Sequence, residues 1–379
     1  MKNTFLSKIF LSCALLVGLT SFSYGANRVG PVSQYGQLQA GKNAAGEGRI
    51  YGSCPAYSTS GHEVQVKGMS LYWSFQLRSA KFYNPRIITE MVKKHNIQLI
   101  RASIGVDEDW GNGNYFTDTT LHQGLADKVV QAAIDNDIYV IIDYHSHLAH
   151  EDVGKAKRFF ERMAQKWGSY DNVIFDSYNE PACLKNGNAD CNDPANGPGF
   201  VAWPTIKEYS EQIVQVIRKY SDNMIIVGTP VWSQQPDKAV GAPVVDPANN
   251  IAYSFHYYAG AHNLRTMGAD VEKAIKNGLT VFVSEWGTVH PVNMGRVAST
   301  NRLWQNWMNK FKLSSANWSL SNYPEDGEKK FGGDGQGASY FAADFDPEDP
   351  SAEWKYSESG RWVNENVFSK LPKKYKACK

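Results

Sequence analysis

The stretch N-V-I-F-D-S-Y-N-E-P, residues 172–181, decides the fold of the chain and marks a candidate site. Its first half is apolar and rich in strand-forming side chains, which predicts a buried strand. Asn179, Glu180 and Pro181 then end that strand, because asparagine and glutamate are depleted in strands and proline has no N–H to donate. A carboxylate at the mouth of a buried strand is costly unless another group pairs with it or uses it. Glu180 is therefore a candidate functional residue.

A second stretch, T-V-F-V-S-E-W-G at residues 280–287, repeats this pattern. Strand-forming residues lead to Ser284, and Glu285 then ends the run before Trp286 and Gly287. Each glutamate thus lies at the C-terminal tip of a short apolar strand. Two such tips, far apart in the chain, suggest one site that is built from both strand ends.

Segments that predict strands alternate with segments that predict helices along most of the 379 residues. Several strand segments are continuously apolar, as expected of parallel strands that are covered on both faces. Eight strand–helix units predict an α/β protein with the fold of a single-domain (β/α)8 TIM barrel. An open, doubly wound sheet is the alternative, but it usually has fewer strands, and the first strand–helix turn lacks a glycine-rich phosphate loop. The predicted strands are 64–71, 98–104, 138–144, 172–178, 224–228, 251–256, 280–284 and 315–320.

Long connections follow predicted strands rather than predicted helices. In a (β/α)8 barrel such βα loops lie on the C-terminal face, where these folds keep their sites. The long connections cover residues 106–119, 182–204, 231–250 and 321–360. Aromatic side chains in them, or just after the first strand, are Trp73, Trp110, Tyr115, Trp203 and Trp232.

Three segments divide the chain. Residues 1–26 predict a secretory signal peptide, with Lys2 and Lys8 around the start of a short apolar run and small residues at its end. Residues 27–61 are rich in Gly, Ser, Ala and Asn, which predicts an irregular N-terminal arm. Residues 62–379 predict the barrel domain. We expect a secreted or periplasmic protein that is free of the membrane once its signal is removed.

Four cysteines, Cys54, Cys183, Cys191 and Cys378, lie beyond the predicted signal. An even count in an exported protein favours disulfides, for which three connectivities exist. A Cys183–Cys191 bond would close a short loop and leave a Cys54–Cys378 bond to join the two ends of the domain. A four-thiolate metal site is the alternative, but the spacings lack the close cysteine pairs that zinc sites use.

The charge of the chain is balanced, with 39 basic and 38 acidic residues and a formal net charge of +1. This balance gives no electrostatic case for nucleic acid or an anionic membrane as a partner. The sequence contains no dinucleotide fingerprint, no Walker loop and no solenoid repeat. We expect a monomer that needs no cofactor and no metal.

Other predicted strands also carry polar or aromatic side chains near their ends. Each of these is most simply a hydrogen-bonded structural group, but a barrel brings the strand ends together. A metal site is the alternative for the histidine-rich run at 143–152, since histidine and carboxylate are common metal ligands. The side chains near strand ends are Arg101, His145, His256, Tyr258 and Trp318.

Paired carboxylates in a neutral, aromatic-lined cleft suit the cleavage of a glycosidic bond. One carboxylic acid protonates the leaving oxygen, while the other attacks the anomeric carbon or activates water. The two groups need different environments, one that keeps a proton and one that stays ionised. For a single glutamate the alternative is a salt-bridged structural group.

On these residues the chain resembles the glycoside hydrolase family 5 cellulases, which belong to clan A. Seven segments match in the order of the family: G-M-S, I-R-A, D-Y-H, Y-N-E-P, H-Y-Y, S-E-W-G and N-W-S. They begin at residues 68, 100, 143, 178, 256, 284 and 317.

The resemblance implies that Glu180 is the general acid/base and Glu285 the nucleophile of a retaining double displacement. It also implies that Asn179 holds the sugar 2-hydroxyl. Arg101 and Tyr258 would hydrogen-bond Glu285 and keep it ionised.

By the same resemblance, His145 and His256 would line the site, and Trp318 would form the floor under the sugar at the cleaved bond. Trp73 and Trp286 would bind or support the substrate. The long loop after Glu180 and the segment 321–360 depart from the commoner family pattern, as does Tyr323, which stands where many relatives have lysine.

The resemblance predicts a secreted retaining endo-β-1,4-glucanase that acts on cellulose and related β-glucans. The alternatives are a β-mannanase, xyloglucanase or mixed-linkage glucanase of the same family, a non-catalytic carbohydrate-binding barrel and a metal-dependent barrel hydrolase.

Overall fold

The structure is a computed structural model that describes residues 28–182, 199–290, 295–324 and 337–378. The segment predicted as a signal peptide, residues 1–26, lies outside the described residues, as do Cys183 and Cys191. The strands of the described part are β1 Leu38–Lys42, β2 Gly48–Gly52, β3 Lys67–Leu71, β4 Leu99–Gly105, β5 Tyr139–His145, β6 Val173–Asp176, β7 Ile225–Val227, β8 Ile251–Tyr258, β9 Val281–Gly287 and β10 Ser315–Leu320.

Strands β3 to β10 form a closed barrel in which every neighbouring pair is parallel. The order around the barrel is that of the chain, and β10 closes it by pairing with β3. At least one α-helix follows each of these strands. The predicted (β/α)8 TIM barrel is therefore confirmed.

The helices surround the barrel, and their ends are set by local sequence. At the start of the helix after β3, the Asn84 side chain accepts a hydrogen bond from the Arg86 N–H at 3.0 Å, and Pro85 takes the first helical position. The helices are α1 Pro31–Tyr35, α2 Leu77–Ala80, α3 Pro85–His95, α4 Thr119–Asp135, α5 Val153–Trp167, α6 Trp203–Ile217, α7 Pro230–Ser233, α8 Leu264–Lys276, α9 Asn301–Lys310 and α10 Glu358–Asn366. Among the described helices, none combines the length and the apolar character that crossing a membrane requires.

The N-terminal arm is more regular than the sequence predicts. Its described part contains α1 and an antiparallel hairpin of β1 and β2, so the expectation of an irregular arm was wrong. Leu38 and Ile50 of this hairpin join the same buried cluster as Leu99 of the barrel. Gly48 lies so close to the backbone that a Cβ there would come within 1.9 Å of the Leu279 carbonyl oxygen. The glycines that allow this contact also hide the strand pattern from sequence analysis.

The barrel strands are buried on both faces, which explains their continuous apolar sequences. Leu99, Ile141 and Ile174 belong to one buried cluster, whereas Ile142 and Phe175 belong to the cluster that includes the helices. Alternate residues of each strand therefore fill the barrel and the layer outside it.

A disulfide joins Cys54 to Cys378, two residues that are 324 positions apart in the chain. The same junction is supported by a hydrogen bond of 2.8 Å from the Cys378 N–H to the Ser33 carbonyl. The bond therefore ties the C-terminal end of the chain to the N-terminal arm.

Candidate active site

The two glutamates at the strand tips meet at the C-terminal end of the barrel. Glu180 follows β6, and Glu285 lies in β9. One carboxylate oxygen of each, together with one ring nitrogen of His256, lie within 4.8 Å of one another. Residues 105 positions apart in the chain thus share one site, as the two sequence stretches suggest.

Glu285 is buried and is held through both carboxylate oxygens. Arg101 donates from Nη1 to Oε2 at 3.1 Å, and the Tyr258 hydroxyl donates to Oε1 at 2.7 Å. Only 4% of Glu285 is exposed. The charge-assisted hydrogen bond from Arg101 and the phenolic hydrogen bond from Tyr258 together fix the plane of the carboxylate.

Arg101 is a buried guanidinium that contacts three carboxylates. Besides Glu285, it lies 3.0 Å from Asp143 and 3.2 Å from Asp176, and it donates to Asn179 Oδ1 at 2.6 Å. Burial by itself lowers the pKa of Arg101, but the three carboxylates outweigh it and raise the pKa above its ordinary value. The pKa of Asp143 and of Asp176 is raised to about 7, mainly because both are fully buried.

His145 lies between this charged cluster and an aromatic ring. Its Nδ1 is 2.6 Å from Asp143 Oδ2, its Nε2 is 3.3 Å from Asn179 Nδ2, and its ring stacks on Trp318 with centroids 5.7 Å apart. Burial and the nearby Arg101 hold the pKa of His145 well below its ordinary value. The imidazole is therefore neutral and acts as an orienting group between its three neighbours.

Glu180 is bound by two imidazoles, one on each oxygen. His256 Nδ1 lies 2.8 Å from Oε1, and His147 Nε2 lies 3.3 Å from Oε2. The other nitrogen of His256 contacts the Ser284 hydroxyl at 2.9 Å, which orients the ring. Burial raises the pKa of Glu180, but the hydrogen bonds from His147 and His256 outweigh it and hold the pKa below its ordinary value.

An aromatic wall extends from the two glutamates along one side of the site. Trp318 lies 5.0 Å from Tyr72 and 6.0 Å from Trp73, and Trp73 lies 4.6 Å from Trp110, measured between ring centroids. The Nε1 atoms of Trp73 and Trp318 are buried and have no hydrogen-bond partner among the described residues. Trp110 is 44% exposed and ends the wall.

The family of the chain follows from comparison with known proteins. A family model described as cellulase, glycosyl hydrolase family 5, matches residues 57–324. The chain belongs to this family. The resemblance seen in the sequence is thereby confirmed, and the protein is a glycoside hydrolase.

Individual relatives of this cellulase-family chain carry related names. Endoglucanase Z of Dickeya dadantii (strain 3937) is 36% identical over 330 residues, which is 86% of this chain and 68% of that protein. An endoglucanase of Bacillus sp. (strain KSM-635) is 30% identical over 84% of this chain, which spans only 34% of that relative. A solved structure from Cytophaga hutchinsonii has a TM-score of 0.74 at 29% identity and covers 90% of this chain and 97% of that one.

The ring of Trp286, which the resemblance places at the substrate, lies away from the two glutamates in this cellulase-family barrel. Its ring packs 5.8 Å from Tyr257 and 6.5 Å from Trp362, within the cluster that includes the helices. Side chains alternate along a strand, so the residue after Glu285 points out of the barrel. Trp286 therefore packs under the helices and does not face the two glutamates.

Three residues that touch the site were absent from the predicted set. Asp143 and Asp176 are paired in register on β5 and β6 and contact Arg101. A charged residue inside an otherwise apolar strand is the sequence signal that could have revealed both. His147, in the histidine-rich run after β5, contacts Glu180.

A metal could be held by the glutamates themselves. Glu180, His256 and Glu285 each offer one ligand atom, and these atoms lie within 4.8 Å of one another. The alternative site in the histidine-rich run is weaker, because His150 Nδ1 is bonded to the Tyr178 hydroxyl at 2.8 Å and His145 to Asp143. Both glutamates already accept hydrogen bonds from protein groups.

Proposed function

We propose that this family 5 enzyme is a secreted endo-β-1,4-glucanase that cleaves internal bonds of cellulose and related β-glucans with retention of configuration. One observation carries the proposal: carboxylate oxygens of Glu180 and Glu285 lie within 4.8 Å of each other. Retaining glycosidases have their two carboxyl groups about 5–5.5 Å apart, whereas inverting enzymes need about 6.5–9.5 Å to admit a water molecule. The short separation favours a direct attack by one of the carboxylates.

The first half of the reaction uses the two glutamates in different roles. Glu285, fixed by Arg101 and Tyr258, attacks the anomeric carbon and forms a covalent bond to the sugar. Glu180 gives its proton to the glycosidic oxygen as that C–O bond breaks. Positive charge that develops on the sugar ring is stabilised by the surrounding carboxylates.

The second half releases the sugar from Glu285. Glu180, now ionised, takes a proton from water while the water oxygen bonds to the anomeric carbon and the bond to Glu285 breaks. His256, which is anchored by Ser284, orients the Glu180 carboxylate for both proton transfers. The enzyme returns to its initial protonation state.

The remaining side chains place the sugar between the glutamates. Asn179 is fixed by Arg101 and His145, which leaves its amide suited to hold the sugar 2-hydroxyl. Trp318, stacked on His145, offers an apolar face for the sugar at the cleaved bond. Trp73 continues that surface away from the glutamates.

Export is part of the proposal. The predicted signal at residues 1–26 supports it, and so does the disulfide between Cys54 and Cys378, because disulfides persist in oxidising compartments. We expect a monomer whose partner is the β-glucan itself.

Product analysis tests this function. The purified protein should release short β-1,4-linked oligosaccharides from soluble cellulose derivatives faster than from glucomannan, xyloglucan or mixed-linkage glucan. NMR of the first products should show the retained anomer, and Glu285→Gln should abolish the release. Glu208→Gln, at an exposed glutamate of α6, is the matched control and should keep full activity. Inverted products, or full activity of Glu285→Gln, would overturn the proposal.

A further inference from the structure

His147 is a second imidazole on the proposed general acid. Its Nε2 lies 3.3 Å from Oε2 of Glu180, and the Oε1 atom is already occupied by His256 Nδ1 at 2.8 Å. The two histidines differ in setting: His256 is 1% exposed as a side chain, whereas His147 is 32% exposed. His147 is therefore the partner of Glu180 that solvent protons can reach.

Residues on both sides of Glu180 hold His147 in place. The His147 carbonyl accepts hydrogen bonds from the Tyr178 hydroxyl at 2.8 Å and from the Ala182 N–H at 3.3 Å. Residue Glu180 lies between these two donors in the chain. The contact between the imidazole and the carboxylate is thus built into the folded loop.

The charges around His147 favour its protonated form. Glu180 faces it from the loop after β6, and Asp107 and Glu108 face it from the loop after β4. Burial lowers the pKa of His147, but its hydrogen bond with Glu180 and these acidic neighbours outweigh burial and raise the pKa above its ordinary value.

The other charged or titratable groups near the pair come from the barrel strands. His145 on β5 has its ring centroid 6.5 Å from that of His147, and Asp107 is bound by the Ser146 hydroxyl. On the side of Glu180 lie His256 and, beyond it, Glu285 with Arg101. Of these, only Glu180 contacts the His147 ring by a hydrogen bond among the described residues.

We propose that His147 and Glu180 hold one proton in common, and that this shared proton is the one given to the glycosidic oxygen. The inference rests on the retaining function proposed above. When the proton lies on His147 Nε2, Glu180 is ionised; when it moves to Glu180 Oε2, the imidazole becomes neutral and the acid is ready. His147 acts through Glu180 and is a positioning residue that also stores the proton.

The proton balance of the reaction is kept at every step. In the first half, the pair loses its proton to the leaving oxygen as the C–O bond breaks and Glu285 bonds to the anomeric carbon. That leaves ionised Glu180 beside neutral His147. In the second half, water gives a proton to the pair, its hydroxyl oxygen bonds to the anomeric carbon, and Glu285 is released as a carboxylate.

The shared proton has a consequence for the pH range of the enzyme. A pair that contains an imidazole of raised pKa keeps its last proton to a higher pH than a carboxyl group alone. The acid form needed for the first half of the reaction is therefore available further into the alkaline range. His147 should set the alkaline limb of the profile of kcat/KM against pH.

His147→Gln tests the inference, because glutamine can still donate to Glu180 but cannot carry the proton. On a soluble cellulose derivative, the alkaline limb of kcat/KM should move to lower pH. A shift of one pH unit lowers the activity relative to wild type about tenfold on the alkaline side. His150→Gln is the matched control, since His150 lies on the same loop and bonds Tyr178 rather than Glu180, and its limb should coincide with wild type.

Two results would overturn the inference. An unchanged alkaline limb of kcat/KM in His147→Gln means that His147 only donates a hydrogen bond. An alkaline limb moved to higher pH means that His147 acts as a fixed cation that keeps Glu180 ionised.

A substrate whose leaving group needs no proton, 2,4-dinitrophenyl cellobioside, checks that the variant is folded. The shift of the alkaline limb should occur with the polysaccharide and not with this substrate. Failure of the proposed function is recognised separately, because Glu285→Gln would then keep its activity on both substrates.

Discussion

Arg101 donates a hydrogen bond of 3.1 Å to Glu285, although β4 and β9, the strands that carry them, are separated by β3 and β10 in the barrel. The guanidinium spans the end of the barrel and also reaches Asp143 and Asp176. One buried cation therefore contacts carboxyl groups from three other strands. The position of Glu285, the proposed nucleophile, and the stability of the barrel therefore depend on the same side chain.

Arg101→Met should destabilise the protein and abolish its activity. Removing one partner of a buried charge network leaves the others unpaired, at a cost of about 3–5 kcal/mol. Arg101→Lys keeps the charge but loses the planar fork, so it should recover part of the stability and little of the activity. Urea denaturation and the initial rate on soluble cellulose measure the two effects.

Arg218→Met is the control for the arginine variants. Arg218 forms a buried pair with Asp246 at 2.7 Å, and this pair lies near the N-terminal end of the barrel rather than at the glutamates. It should lower the free energy of unfolding but leave the activity of the folded enzyme intact. Arg101→Lys with wild-type activity would contradict the role that we give to the two-pronged contact.

Asp143 and Asp176 should make the stability of the protein fall as the pH rises from about 4 to about 7. Their pKa is raised from the model-peptide value of 3.8 to about 7, so the folded state binds more protons than the unfolded state in this range. Their stabilising contribution is full below about 3.8 and is lost as the pH passes about 7. Each of the two carboxyl groups can contribute a slope of up to about 1.4 kcal/mol per pH unit.

Asp176→Asn tests this linkage, because the amide keeps the shape of the side chain but cannot ionise. Unfolding by urea at a series of pH values should show a smaller decline between pH 4 and 7 than in wild type. Asp127→Asn, at a partly exposed residue bound by Lys166 on the helical layer, should leave the decline unchanged. A wild-type stability that rises through this range would contradict the prediction.

The barrel and the two glutamates could be predicted because strand pattern and strand ends are local features of a sequence. The strand at 315–320 has the predicted bounds, and each of its residues is buried in the barrel. The strand predicted at 64–71 begins three residues later, because the Val64 N–H bonds to the Ile50 carbonyl of β2 at 2.8 Å and not to a barrel strand.

The charged cluster of Arg101, Asp143 and Asp176 was harder to predict from the sequence than the barrel and the two glutamates. Asp143 and Asp176 face Arg101 only because three strands are in register, and register depends on contacts between distant parts of the chain. The outward direction of Trp286 follows from the same alternation, once Glu285 is known to face inward. His147 depends on a loop conformation, which residue types alone do not specify.

Removal of the Cys54–Cys378 disulfide should lower stability without changing the chemistry. The bond joins residues 324 positions apart, so it restricts the unfolded chain strongly. Loss of a native disulfide typically costs about 2–5 kcal/mol, and the double variant Cys54→Ser with Cys378→Ser should fall in this range. Thermal unfolding with and without a reducing agent measures it: the reducing agent should lower the Tm of wild type more than that of the variant. Equal Tm values for the variant and oxidised wild type would show that the bond contributes nothing.

Trp110→Ala should weaken the binding of long substrates. The loop that carries this ring is held to the segment between β3 and α2, since the Trp110 N–H donates to the Phe75 carbonyl at 3.2 Å and the Leu77 N–H donates to the Trp110 carbonyl at 3.3 Å. The exposed ring therefore keeps a fixed position beyond Trp73, where a further sugar of the chain would lie. A sugar face that covers about 40 Å² of apolar surface contributes about 1 kcal/mol at about 25 cal/mol per Å².

That contribution corresponds to about a fivefold increase in KM for a soluble cellulose derivative. The rate on 2,4-dinitrophenyl cellobioside, which carries only two sugars, should stay at the wild-type value. Tyr220→Ala is the matched control, because Tyr220 is 39% exposed and lies after α6, at the opposite end of the barrel. If Trp110→Ala and Tyr220→Ala raise the KM for the polymer equally, the increase results from the loss of any exposed aromatic ring. Trp110 would then have no specific contact with the sugar chain.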